Sequence, residues 1–171
     1  MPISDFRPPQ CSLLAACLLL AACGFRPLYG GPTGEIRRLE LSQVAVTPIK
    51  TRLGQTLRNT LLDRMTPEGE PTYPQYRLDI TLNEYKEGVA IQSDASITRY
   101  NYQLTGTYEL FDLGAGKVIY QGIARSLAAY NVAESPFATL SAERDVADRT
   151  AGDLSDQIEH SLALFFERRA R

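Results

Sequence analysis

From Tyr76 to Asn83 the chain alternates without a fault. Tyr76, Leu78, Ile80 and Leu82 stand against Arg77, Asp79, Thr81 and Asn83. Period two is the signature of a strand with one buried face. The pattern can continue through Val89 and Ile91 after a break near Gly88. Ser93 to Ser96 reads as a polar hairpin tip. A second long alternation runs from about Ile97 to Phe111, with Tyr100, Tyr102, Leu104, Tyr108 and Leu110 on one face and Arg99, Asn101, Gln103, Thr105, Thr107 and Glu109 on the other. Asp112-Leu113-Gly114-Ala115-Gly116 supplies hairpin-turn residues, and a further strand follows from about Lys117 to Ala129. One apolar and one polar face describe an antiparallel sheet covered on one side.

Ahead of these strands, Leu39/Leu41 and Val44/Val46 predict a first strand over Leu39–Ile49, with a phase slip between the pairs and Pro48 near its end. Thr51 is placed to cap a helix, since Leu53, Leu57 and Leu61 repeat every four residues up to Pro67. After the last strand, Ser135 and Pro136 open a helix of about thirty residues marked by Phe137, Leu140, Ala147, Ala151, Leu154, Ile158, Leu162 and Phe165. The prediction is an α+β domain. Its order is βαβββα, with two helices packed on one face of a four-stranded, mostly antiparallel sheet. Asp145, Asp148, Asp153 and Asp156 then read as the wet side of the second helix.

Composition narrows the chemistry. Hydrophobic residues make up 44% and charged residues 22% of the 171, a globular balance. A net charge of -2 argues against a nucleic-acid partner, which needs a basic surface. There is one histidine, His160, and no Gly-x-Ser-x-Gly turn or phosphate-binding loop. No cluster of metal-ligand residues stands out, and nothing calls for a cofactor. Catalytic residues and metal ligands are therefore predicted to be none.

The three cysteines, Cys11, Cys17 and Cys23, all fall in the first segment. Arg7 precedes an apolar run from Leu13 to Ala22, which is too short to span a bilayer and right for a secretory leader. It ends Leu20-Ala21-Ala22-Cys23-Gly24, which resembles a bacterial lipobox: an aliphatic residue, two small ones, then the cysteine whose thiol takes the lipid. Leu14-Ala15-Ala16-Cys17 fits the same four-residue pattern. Cys23 is preferred, because apolar residues precede it and Gly/Pro-rich sequence follows. The organisation expected is a lipoprotein signal peptide over 1–22, a lipidated Cys23 with a tether over 23–34, and a single domain over 35–171. A flexible tether of that length reaches roughly 18 Å. Gly24 in place of aspartate after the cysteine points to outer-membrane sorting.

Cys23-Gly24-Phe25-Arg26-Pro27-Leu28-Tyr29-Gly30 behind a lipobox resembles the start of LptE, the lipopolysaccharide-assembly lipoprotein family. So do Arg52-Leu53-Gly54-Gln55 opening the first helix, the strand with Arg99-Tyr100, and Tyr130-Asn131 before an Ala-rich helix. The resemblance implies a non-enzymatic subunit on the periplasmic side of the outer membrane, anchored by lipid on Cys23. It also implies two partners. One is the LptD β-barrel, which such proteins plug and help to fold. The other is lipopolysaccharide, delivered to the outer leaflet. Lipopolysaccharide phosphates call for exposed cations. Fifteen of the 18 basic residues are arginine, a composition that suits phosphate but also arises from genomic bias. Arg99, just past the hairpin tip, is the first choice for lipopolysaccharide binding, with Arg77 and Lys86 behind it. Two alternatives remain open: a lipid-anchored envelope scaffold with another partner, and a hydrolase using His160.

Overall fold

The computed structural model describes residues 38–91 and 97–170. Strand β1 (Val44–Val46) is three residues long, and both of its valines are buried. Residues 38–42 are helical, so the strand expected from Leu39 does not begin there. Leu41 is buried while Leu39 is 60% exposed, so the two do not share a strand face. The phase slip before Val44 marks a real boundary.

Thr51 caps α1 (Arg52–Met65), its hydroxyl accepting the Gly54 N–H at 3.0 Å. Leu53, Leu57, Leu61 and Met65 fall one turn apart and are buried. Thr66 leaves the helical region at φ -130° and ψ 58°, as a residue before proline is forced to do. The chain then forms a meander of β2 (Tyr76–Ile91), β3 (Ile97–Asp112) and β4 (Lys117–Asn131). β2 runs on past Gly88 with a register irregularity rather than a break. The β3–β4 turn is closed by Gly116 at φ 65° and by the Asp112 carboxylate, which accepts the Ala115 N–H at 2.9 Å.

The element order is the expected one, and the sheet order is β1-β2-β3-β4. The sheet is mixed rather than mostly antiparallel. β2–β3 and β3–β4 are antiparallel, but β1 lies parallel to β2 with Val44 opposite Tyr76. The cause is the helical crossover. A strand–helix–strand connection returns the chain to its starting end, so the second strand runs the same way as the first.

Even-numbered residues of β2 and β3 face the helices. Leu78 lies opposite Leu110, and Ile80 opposite Tyr108, all buried. Helix α2 (Pro136–Arg169) covers β3 and β4 and packs on α1. Its buried line is Val146, Ala151, Leu154, Ile158, Leu162 and Phe166. Small residues let the helices approach closely. The buried Ser155 hydroxyl donates to Ala151 O at 2.9 Å and reaches Leu57 O of α1 at 3.4 Å. The acidic residues of α2 are more than a wet surface. Asp148 pairs with Arg52 at 2.9 Å, Asp156 pairs with Arg64, and Asp153 accepts from Ser126 of β4 at 3.1 Å.

Candidate functional site

Two strands of sixteen residues make the sheet roughly 50 Å long. The described chain enters at one end, beside the β3–β4 turn, where Arg169 of α2 also meets Asp112 at 3.5 Å. A cavity of about 390 Å³ opens there, lined by Arg38, Leu39, Met65, Thr66 and Pro67 among others. The other end carries the β2–β3 hairpin, the end of β4 and the start of α2.

Arg99 stands at that far end. Its register partners are Ala90 and Asn131, its side chain is exposed, and no described residue pairs with it. Lys86 is close by along the sheet but on the helix side. Its Nζ donates to Glu143 Oε1 at 2.6 Å, while the Tyr130 hydroxyl donates to Oε2 at 3.1 Å. Tyr100 stacks on Tyr130 with ring centroids 5.5 Å apart. The hydrogen bond from Lys86 holds the Glu143 carboxyl below its ordinary value. Burial, reinforced by the Glu143 charge, pushes Tyr130 up to about 12. Beside this group the buried Tyr102 donates to Glu84 at 2.7 Å, and burial with that hydrogen bond raises its pKa.

Arg77 lies at the opposite end. Its Nε donates to Asp79 at 3.0 Å, and its guanidinium sits 4.8 Å from the centre of the Phe111 ring. Phe111 is its register partner, which places Arg77 roughly 40 Å from Arg99 along β3. The three cations therefore do not converge. Arg77 and Lys86 are neutralised by carboxylates of the same chain. Of the three, Arg99 presents a planar fork of donors that no described residue occupies, the geometry that grips a phosphate oxygen pair.

Cys23, the competing Cys17 and the tether lie outside the described residues. His160 is exposed on α2 with no hydroxyl or carboxylate partner among the described residues. Among those residues no group of three His, Cys, Asp or Glu could hold a metal, and no helix is long and apolar enough to cross a membrane.

The open face of the sheet departs from the polar surface expected of it. Across the register it reads Tyr85–Gln103–Leu127, Asn83–Thr105–Arg125 and Thr81–Thr107–Ile123. β2 and β3 contribute mainly uncharged polar groups. β4 contributes Ile123 and Leu127, which are 66% and 64% exposed. The sequence carries the signal, since these two alternate with Ala124 and Ser126.

Among the described residues the fold is a mixed four-stranded sheet with two helices on one face and no element on the other. It is shared by a lipoprotein of Caulobacter crescentus at a TM-score of 0.64, with 22% identity, covering 76% of this chain and 95% of that one. Rare lipoprotein B of Shewanella oneidensis shares it at 0.59, with 10% identity, covering 75% and 97%. The likeness at these identities is one of fold. Residues 41–162 match the model of the LptE family, described as lipopolysaccharide-assembly, and the chain belongs to that family. An uncharacterised protein of Rickettsia prowazekii is 23% identical over 157 residues, 92% of this chain and 97% of its own length.

Proposed function

We propose that this chain is lipidated on Cys23, held at the periplasmic side of the outer membrane, and seated as a plug in the LptD β-barrel. There it supports barrel assembly and helps lipopolysaccharide into the outer leaflet, without catalysis of its own. Family membership over residues 41–162 carries the reading. The open sheet face supports it physically. A barrel interior is polar, and the Asn83–Thr105 and Thr81–Thr107 pairs offer uncharged hydrogen-bonding groups to it. A tag on the C-terminus should recover a large β-barrel from mild detergent. Recovery only as a free monomer overturns the plug. Cys23→Ser should stop processing and membrane retention, whereas an effect confined to Cys17→Ser moves the anchor.

We assign the lipopolysaccharide phosphate contact to Arg99, whose exposed side chain pairs with no described residue. Arg99→Ala should weaken lipopolysaccharide binding by roughly tenfold, the worth of one charge-assisted contact. Arg77→Ala should weaken it far less, because Asp79 already occupies that guanidinium. Equal losses in the two variants would place the contact elsewhere.

A further inference from the structure

The two long edges of the sheet are guarded in different ways. β2 is paired with β1 only from Tyr76 to Leu78. Beyond that its outer edge carries Asp79, Glu84, Lys86 and Glu87, and charged edges resist pairing. β4 is last in the sheet order, and among the described residues no strand lies beside its outer edge. From Val118 to Asn131 it holds a single charged residue, Arg125.

At Arg125 a side chain takes the place of a strand. Gln157 of α2 donates its amide N–H to the Arg125 carbonyl at 3.1 Å and accepts the Arg125 N–H at 3.3 Å. A residue of a neighbouring antiparallel strand makes the same two-point contact. Backbone groups alternate in direction along a strand, so the N–H and C=O of Ile123 and Leu127 point to the edge that Gln157 occupies. Their apolar side chains stand exposed on either side of it.

A second β4 laid antiparallel about Arg125 would set Ile123 opposite Leu127 twice. These are favourable cross-strand apolar pairs. The same register sets Arg125 opposite Arg125, and like charges directly opposed are destabilising. We propose that the outer edge of β4 is a strand-pairing surface for a second copy of this chain, kept closed by Gln157 and Arg125. The Gln157 amide fills the hydrogen-bonding position, and the Arg125 charge penalises the one register that matches the apolar residues.

The test is self-association of the whole chain across a concentration series, followed by light scattering and amide exchange. Gln157→Met keeps the side-chain length and removes both hydrogen bonds. It should tighten the dimer dissociation constant by about tenfold, the loss of two competing contacts. The amides of Ile123 and Leu127 should gain protection as concentration rises. Adding Arg125→Thr should tighten the dimer further, and adding Ile123→Lys should reverse it. A Gln157→Met chain as monomeric as its parent, with exchange altered at Arg125 alone, would overturn the proposal. Association that Ile123→Lys leaves untouched would do the same. Circular dichroism checks the fold. If the Met variant does not fold, Gln157→Glu, which loses only the donor to the Arg125 carbonyl, carries the same test with a smaller shift.

Discussion

Leu78, Leu104 and Leu110 on the covered face of the sheet are fully buried, while their strand neighbours Arg77, Gln103 and Glu109 on the open face meet solvent. The backbone is common to both faces, and what differs is who covers it. On one side α2 and α1 close over leucines, tyrosines and small residues, so shape decides what is tolerated. On the other side none of the described residues covers the sheet, so packing against a helix does not decide composition there. Stability is thus assigned to one face of a sheet one layer thick.

The contrast breaks first at its largest expected effect. Leu154→Ala removes a fully buried side chain and should cost about 2–5 kcal/mol of unfolding free energy. Ile123→Ala, on the open face, should change stability by no more than about 0.5 kcal/mol. Denaturant titration measures both, and equal losses would mean that the open face is covered in the isolated chain.

Glycine positions sharpen the comparison. A Cβ on Gly54 would lie 2.2 Å from Ile49 Cγ2 and 2.5 Å from Ile49 Cβ. Gly54→Ala should therefore destabilise by about 1–3 kcal/mol through overpacking. Gly152, in the middle of α2, has nothing within 4 Å of that position. Gly152→Ala should stabilise by about 0.5–1 kcal/mol through helix propensity. Thermal melts that move in the same direction for both would show that packing does not separate them.

The smallest effect is electrostatic. Glu143 has a folded pKa below its ordinary value of 4.5, because Lys86 and Tyr130 favour the carboxylate. That stabilisation is complete above the ordinary value and is lost as pH falls through the folded one. Glu143→Gln should melt below the parent at neutral pH, and the gap should close on acidification. A gap that stays constant with pH would assign the loss to packing instead.

Much of the covered face was legible in the chain, because burial on one side forces a period of two. Tyr76, Leu78 and Ile80, and then Tyr102, Leu104, Tyr108 and Leu110, spell it out. Thr51 before its leucine repeat fixed the start of α1. The 38–42 helical turn was not legible, since Leu39 and Leu41 are too short a run to separate a strand from a turn. The candidate cations were legible only as residue types. Nothing in the spacing of Arg77, Lys86 and Arg99 says that two of them are neutralised by Asp79 and Glu143. Glu143 is brought to Lys86 by the fold, across most of the meander. The Gln157 contact with Arg125 has the same character, a pairing of helix and strand that no local pattern encodes.

The meander is also a ruler. Its length of roughly 50 Å exceeds the roughly 30 Å hydrocarbon thickness of a bilayer. The described chain begins at one end of that ruler, and Arg99 projects from the other. The Arg99 guanidinium, which pairs with no described residue, thus stands farther from Arg38 along the sheet than a bilayer's hydrocarbon core is thick. Shortening β2 and β3 by two residues each would draw that group back by about 7 Å without touching the helices.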